Sequence, residues 1–313
     1  MKMKNWLLLL CAVHLLWYGC GLGKAESIVK QANQAAKRKD WKTVQELAEK
    51  RVHSVPTDSE ATVLLALALF YNEPDKPASI DKAIDCMRQV LNAESKRYDL
   101  HFIYGWILLN TGHINIRHIK EARIPLQTAY DIHLKDTHAI GQDYQGLLKY
   151  ALGRCCMLNG LYDDALKYYE QAAKSTGFND WSTLYNDMAF CQTVLRNYSA
   201  AINNLNLANS KIEKAKVQAE LERKRDPNAL PYVNPYEYIP VLNTAIICDY
   251  LSYPNYNQFN VQDYAAVRVD WYEKAGAMVA DAAQKSPNAL QQQGLNNTLH
   301  KINLRKAALL SSK

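Results

Sequence analysis

The feature that most constrains this chain is a recurrent spacing of small residues: one small residue, a second twelve positions later and a third after seven more. Residues 143–173 show it most clearly, with Gly153, Ala165 and Ala172. Two antiparallel helices that pack closely need small side chains where they touch, because bulky ones would push the helices apart. The spacing therefore predicts a helix, a turn and a second helix packed against the first.

The same spacing recurs along the chain, as stacked repeats require. One helix pair cannot bury its own apolar face, so several pairs must share a core. Two sets keep the spacing without change: Ala32, Val44, Arg51 and Ala189, Ala201, Ala208. Two others carry five extra residues between their helices: Ala66, Ala83, Val90 and Gly105, Ala122, Ala129. Five repeats are therefore predicted.

Large apolar or aromatic residues stand between the small positions, and in residues 143–173 a glycine, Gly160, occupies the turn. Together with the 34 residues between Ala32 and Ala66, this pattern resembles the tetratricopeptide repeat (TPR) family. The resemblance implies an all-α fold, a right-handed α-solenoid of stacked helix-turn-helix pairs with a C-terminal capping helix. We expect the solenoid over residues 26–222, a Pro- and Tyr-rich linker over 223–240, and a degenerate sixth repeat with the capping helix over 241–313.

The first residues have the pattern of an export signal. The basic start MKMKN precedes an apolar run that is short for a bilayer span but typical of a signal peptide. Gly19-Cys20 resembles the cleavage point of a bacterial lipoprotein, in which Cys20 is lipidated after residues 1–19 are removed. Ordinary cleavage after Ala25 is the competing interpretation. We expect an exported protein, either a membrane-anchored lipoprotein that faces the periplasm or a soluble periplasmic protein.

The charge of the chain is too small and too dispersed for nucleic-acid binding. The formal net charge is +6, and the densest basic run, residues 211–226, also contains acidic residues. Proteins that bind nucleic acid usually concentrate their cations in a stripe. An interleaved run is more typical of a solvated helix face, so no nucleic-acid partner is predicted.

The cysteines beyond the signal are predicted to be free, buried thiols. There are five of them, Cys86, Cys155, Cys156, Cys191 and Cys248. Five thiols cannot all pair within one chain, and all lie in predicted helices, where cysteine behaves as a small hydrophobe. A disulfide between Cys155 and Cys191, which occupy equivalent places in adjacent repeats, is the alternative. The absence of a CxxC pair argues against a metal site.

In TPR proteins the first helices of successive repeats line a concave face, so the resemblance names candidate groove residues. They lie within about one turn of the small packing position: Phe70, Phe102, Trp106, Leu109, Tyr150, Arg154, Met157, Asn186 and Phe190. This aromatic and apolar set suits a peptide with apolar anchors. We predict a protein–protein interaction scaffold or adaptor of the bacterial envelope. The alternative is that the linker or the C-terminal helix buries some of these aromatics.

Two other classes of function fit the sequence less well. No GxSxG, HExxH or phosphate-loop motif is present, so no catalysis, cofactor or metal is predicted. His113, His118 and Glu121 form the best candidate metal set, but they lie in and beside an inserted turn, where polar side chains face solvent. His133 and His138 are likewise interpreted as loop residues.

The second class is glycan binding at the cell envelope. Aromatic rings can stack on sugars, and Trp106, Tyr150, Tyr253 and Tyr256 are the candidates for such platforms. A sugar site should place exposed rings beside carboxylates and amides, whereas a peptide groove should be continuous and apolar. The arrangement of exposed side chains therefore separates the two hypotheses.

Overall fold

The structure is a computed structural model that describes residues 23–135, 142–175, 181–226, 237–251, 261–285 and 289–311. Across these residues the chain is helical, with turns between the helices and no strand. The helices are α1 (Gly23–Lys37), α2 (Trp41–Ser54), α3 (Ser59–Asn72), α4 (Pro77–Ala93), α5 (Tyr98–Asn110), α6 (Ile116–Glu121), α7 (Arg123–Lys135), α8 (Gln142–Leu158), α9 (Tyr162–Ala173), α10 (Ser182–Val194), α11 (Tyr198–Arg225), α12 (Tyr238–Leu251), α13 (Val261–Gln284) and α14 (Ala289–Ser311).

The chain divides into two compact units, and the boundary falls between α9 and α10. In the first unit the predicted repeats appear as the packed pairs α1–α2, α3–α4, α5–α7 and α8–α9. The second unit contains the pairs α10–α11 and α12–α13, and α14 packs on α13. The fold is therefore all-α and built from stacked helix pairs, as the spacing of small residues predicts.

The small residues of the repeated spacing lie where paired helices touch. A methyl group added at Gly153 in α8 would lie 2.5 Å from the ring carbon Cδ1 of Tyr169 in α9. One added at Gly105 in α5 would lie 2.6 Å from Cγ of Leu126 in α7. Both distances are shorter than any normal contact, so the paired helices approach this closely only because glycine has no side chain.

Arg51 is the one large residue in the repeated set, and an ion pair accommodates it. Its Nε lies 2.6 Å from Oδ2 of Asp58, with both side chains largely buried. Asp58 also caps α3, because its Oδ1 accepts a hydrogen bond from the Ala61 N–H at 3.1 Å. The pair therefore joins the second helix of the first repeat to the first helix of the second.

Three repeats share one tight turn between their helices. Lys39, Gly160 and Arg196 each precede the second helix by two residues and have φ of 62°, 78° and 63°. In each turn the next residue donates its N–H to a carbonyl five positions back: Asp40 to Ala35, Leu161 to Cys156 and Asn197 to Gln192. These are Schellman turns, whose left-handed position favours glycine because it has no Cβ.

The predicted sixth repeat is a helix pair. Val241 and Ala245 of α12 share a buried cluster with Tyr272 and Ala275 of α13. The second helix of this pair, α13, ends at Gln284. Helix also enters both ends of the predicted linker, since α11 continues to Arg225 and α12 begins at Tyr238.

Several predicted features lie outside the described residues: the signal region with Cys20, the centre of the linker, His138, and the loop that carries Tyr253 and Tyr256. Among the helices that the structure does describe, none combines the length and apolar character needed to cross a bilayer.

We expect Gly153→Ala to lower the free energy of unfolding by about 1–3 kcal/mol, because the added methyl group displaces the Tyr169 ring from a filled core. Thermal unfolding followed by circular dichroism measures the loss. Gly294→Ala is the matched control, since nothing lies within 4 Å of its added methyl group. That change should stabilise α14 by roughly 0.5–1 kcal/mol. Equal effects of the two substitutions would contradict the close contact.

The left-handed turns give a prediction of opposite sign. Arg196→Gly should raise the free energy of unfolding by on the order of 0.5–1 kcal/mol, because glycine removes the strain of a positive φ. Arg196→Ala keeps the strain and controls for loss of the arginine side chain. Gly160→Ala should cost about 1–2 kcal/mol through φ alone, since its added methyl group meets nothing within 4 Å. Chemical denaturation of the three variants distinguishes these outcomes.

Candidate functional site

Five of the predicted groove residues lie in the core of the first unit. Their side chains are between 0% and 8% exposed: Phe70, Phe102, Trp106, Leu109 and Tyr150. The sequence explains this for the four on α3 and α5, because these helices are apolar around their whole circumference, and residues 61–70 are all buried. A helix that is apolar on every side is typically buried on every side. In this structure these five side chains present no surface to a partner, contrary to the prediction of an open groove.

The buried aromatics instead pack on one another. The rings of Phe102 and Trp106 stack with centroids 6.0 Å apart, and those of Tyr150 and Tyr169 lie 5.8 Å apart. Trp106 and Tyr150 were also the candidates for sugar stacking. Because both are buried, neither provides a platform for a sugar ring.

Arg154 and Met157 of α8 are only half-buried, and each contacts a tyrosine. The guanidinium carbon of Arg154 lies 6.0 Å from the centre of the Tyr150 ring. The sulfur of Met157 accepts a hydrogen bond of 3.6 Å from the Tyr169 hydroxyl. Both side chains therefore support the aromatic packing and leave part of their surface accessible.

The second unit places the remaining two predicted residues on an accessible surface. Asn186 and Phe190 lie one turn apart on α10, and Phe190 is 48% exposed. One turn further, Val194 is 44% exposed, and on the neighbouring helix α12 Ile246 is 49% exposed. We call the surface formed by Asn186, Phe190, Val194, Asn243 and Ile246 the α10–α12 face.

An amide pair joins the two helices of the α10–α12 face. Nδ2 of Asn243 donates a hydrogen bond of 2.8 Å to Oδ1 of Asn186. Three residues beyond Asn186, Ala189 shares a buried cluster with Ile247, four residues beyond Asn243. The two contacts follow one another in the same direction along both helices. The helices therefore run parallel, as the first helices of consecutive repeats must.

The polar groups of the face are suited to a peptide backbone. An asparagine side chain offers two N–H donors and two acceptor lone pairs. The mutual bond uses the Asn243 amide as donor and the Asn186 oxygen as acceptor, which leaves the Nδ2 of Asn186 and the Oδ1 of Asn243. These two groups complement the C=O and N–H of one peptide unit. None of the five residues of the face is charged.

Sequence reasoning missed Val194, Asn243 and Ile246. Val194 lies just beyond the one helical turn around Ala189 from which groove residues are predicted. The other two belong to the degenerate sixth repeat, which has no clear small position from which to count. A usable signal was present, because Asn243 interrupts the apolar run YIPVLNTAIICDYL of α12.

The candidate metal set does not converge. His113 bonds to Asp75 at 3.1 Å, and Glu121 lies 3.7 Å from Arg88. His118 is buried, with its Nδ1 2.9 Å from the Thr111 hydroxyl oxygen. Across the residues that the structure describes, no three His, Cys, Asp or Glu side chains form a group that could hold a metal ion.

Two histidines correct the sequence interpretation. His118 and His133 were assigned to solvent-facing turns or loops, yet both are buried. The hydrogen bond to Thr111 allows His118 to face inward, since it satisfies a ring nitrogen. His133 lies inside α7 rather than in a loop, on the side of the helix that also buries Ala129.

The five cysteines of the described residues are free, so Cys155 and Cys191 form no disulfide. Four of them are buried, and Cys86 is partly accessible. Burial raises the pKa of the Cys155 thiol to about 11 and that of Cys248 to about 11. Because the thiolate is the reactive species, these groups are poor nucleophiles at neutral pH.

Native-state alkylation tests this burial. At about pH 8 an ordinary thiol is partly ionised, whereas one with a pKa near 11 has only about a hundredth as much thiolate. Burial also raises the pKa of the Cys86 thiol, but Cys86 is partly accessible. Iodoacetamide should therefore label Cys155 and Cys248 more slowly than Cys86, and their labelling should accelerate only as the pH approaches 11. Peptide mass spectrometry identifies each site, and all five should react in denaturant. Labelling of Cys155 at the rate of Cys86 in the folded protein would show that α8 is not packed as described.

The paired helices, the shared turns and the parallel first helices define a class, the all-α helical-repeat proteins. Among solved structures, the chain is similar to PilF of Pseudomonas aeruginosa, with 14% identity over 88% of this chain and 97% of that chain and a TM-score of 0.52. It is also similar to MamA MSR-1, with 12% identity over 61% of this chain and 98% of that chain and a TM-score of 0.48. No family model and no curated protein matches the sequence.

The likeness to PilF, a TPR-repeat protein, concerns the fold. It extends over most of both chains and agrees with the repeats in the sequence. The chain therefore has the tetratricopeptide-repeat fold that the spacing of its small residues predicts.

Proposed function

We propose that this chain is a non-catalytic interaction scaffold or adaptor of the bacterial cell envelope that binds a segment of a protein partner on the α10–α12 face. The observation that carries the proposal is the combination on that face of three exposed apolar side chains with an amide pair. Exposed apolar side chains grouped around convergent polar groups are typical of binding surfaces.

The chemistry of the face favours a peptide. Phe190, Val194 and Ile246 offer apolar contacts for alternate side chains of a bound segment. The remaining amide groups of Asn186 and Asn243 can pair with its backbone. Since the face is uncharged, apolar anchors and backbone hydrogen bonds supply the affinity, and ionic strength should have little effect on it.

Location in the envelope rests on the N-terminal sequence. The basic start, the apolar run and Gly19-Cys20 support export and lipidation of Cys20. Under this proposal a lipid anchor holds the chain at a membrane while the second unit engages its partner. Cleavage after Ala25 would give the same interaction module without the anchor.

A glycan-binding function is less well supported. Of the candidate stacking residues in the described part of the chain, Trp106 and Tyr150 are both buried. The α10–α12 face presents one aromatic ring, Phe190, and no carboxylate. A peptide partner uses all five residues of the face, whereas a sugar would use chiefly the ring and the amides.

Site-specific photocrosslinking tests the proposal in cells. A benzophenone amino acid placed at Phe190 or Ile246 should crosslink a protein partner. The same probe at Val217 of α11, which belongs to the same unit and is 56% exposed, is the control. Crosslinks that form at Val217 as often as on the face, or none on the face, would contradict the proposed site.

The identified partner then allows affinities to be measured. Phe190→Ala combined with Ile246→Ala should weaken binding by about 5–30-fold, which corresponds to loss of 1–2 kcal/mol of anchor contacts. Val217→Ala combined with Leu221→Ala removes two comparably exposed apolar side chains of α11 and should leave the affinity unchanged. Titration calorimetry of the purified proteins measures both effects, and equal weakening by the two pairs would count against the face.

A further inference from the structure

The insertion in the third repeat forms a separate surface in the first unit. Its extra residues fold as the short helix α6, whose first turn Asn115 caps by accepting a hydrogen bond from the Arg117 N–H at 3.1 Å. At its end Ala122 has a φ of −59° and a ψ of −27°, which are helical values. The chain therefore passes from α6 into α7 almost without a break.

One side of this helical path is fixed to the repeat. His118 bonds to Thr111, and Ile119 packs against Gly112. The backbone carbonyl of Ile119 accepts hydrogen bonds from the Cys155 thiol of α8 at 3.6 Å and from the Asn159 amide, just after α8, at 3.2 Å. The insertion is thus a rigid part of the unit and holds its outward side chains in place.

The outward side combines aliphatic and basic residues. Ile116 and Ile124 are 67% and 74% exposed, more than any other large apolar side chain of the described residues. Between them stand three exposed cations, Arg117, Lys120 and Arg123. We call these five residues the α6–α7 surface.

The charge on the α6–α7 surface is not neutralised locally. The neighbouring carboxylate, Glu121, lies 3.7 Å from Arg88 of α4. Asp75 contacts the inserted turn, but its carboxylate bonds to His113. Within the described residues, none of the three cations has a carboxylate at ion-pair distance, so the surface carries a net positive charge.

We propose that the α6–α7 surface docks on an anionic lipid bilayer, with its two isoleucines in the headgroup region and its three cations beside lipid phosphates. Lys and Arg next to aliphatic residues on a helix are typical of segments that lie at the membrane interface. Each cation near an anionic membrane strengthens binding by about fivefold, so three contribute on the order of a hundredfold. This inference concerns the first unit and is independent of the α10–α12 face.

The shape of the surface favours lipid over a protein partner. Side chains that anchor protein partners lie in well-packed sites from which water is excluded. Ile116 and Ile124 stand two-thirds or more exposed, so no pocket surrounds them. A bilayer needs no preformed pocket, because its acyl chains and headgroups adapt to the side chains that enter.

Hydrogen–deuterium exchange of the full chain tests the proposal. Vesicles of phosphatidylcholine with phosphatidylglycerol should slow amide exchange in residues 116–124, and vesicles of phosphatidylcholine alone should not. This local measurement separates the surface from any attachment through the N-terminal apolar segment, which would act on both kinds of vesicle.

Two variants and a matched control complete the test. Substituting Arg117→Gln, Lys120→Gln and Arg123→Gln should abolish the protection, as about a hundredfold loss of affinity predicts. Ile116→Ser with Ile124→Ser should weaken it while retaining the charge. Lys42→Gln, Lys50→Gln and Lys96→Gln remove three exposed cations of the same unit and should preserve it.

Three results would overturn the proposal: no protection by the anionic vesicles, protection that survives the triple substitution in the α6–α7 surface, or protection by an acidic peptide such as polyglutamate but not by the vesicles. The last result would assign the surface to a protein partner.

Discussion

Close contact between two helices without an intervening side chain is the interaction on which the structure depends. At Gly153 the Tyr169 ring occupies the space that a Cβ would need. That ring is completely buried, and its hydroxyl reaches Met157. The residue before it, Tyr168, donates a hydrogen bond to Gln127 of the preceding repeat at 3.2 Å. The same close approach that forms one repeat therefore positions the side chains that join it to the one before.

The need to bury apolar surface also decides where a partner can bind. In α3 and α5 nearly every position is apolar. These helices therefore pack against other side chains on all sides and expose little surface. In α10 and α12, asparagines stand among apolar residues. Burying Asn186 and Asn243 without partners would cost free energy, since an unpaired buried amide loses its bonds to water. Their mutual bond at the surface satisfies part of this requirement and keeps the face accessible.

The fold could be predicted from the sequence because it depends on a local rule: helices that pack closely need small residues at fixed positions. The positions of Gly153, Ala165 and Ala172 follow from how closely two helices can pack, and the same rule holds in the other repeats except at Arg51, where an ion pair accommodates the larger side chain. Exposure follows a different rule. Trp106 and Phe190 each follow the small packing residue of their repeat, Gly105 and Ala189, by one position, yet Trp106 is buried and Phe190 is half exposed.

The difference between Trp106 and Phe190 depends on all the elements packed around each helix, and spacing within one repeat carries no information about those elements. The same limit explains the histidines. His118 is expected in the solvent because an inserted turn is usually polar, whereas a single hydroxyl, that of Thr111, is sufficient to bring its ring inside.

Under the proposed function, the amide pair also gives the α10–α12 face a basis for selectivity. A partner that covered the face with apolar side chains alone would leave the second amide group of each asparagine buried and unpaired, at a cost of about 1–3 kcal/mol for each group. An extended segment that presents its backbone C=O and N–H to these groups avoids that cost. The apolar contacts of Phe190, Val194 and Ile246 then supply affinity, while the asparagines reject surfaces that are merely hydrophobic. Such a face can remain exposed in an aqueous compartment and still bind a partner of one particular kind.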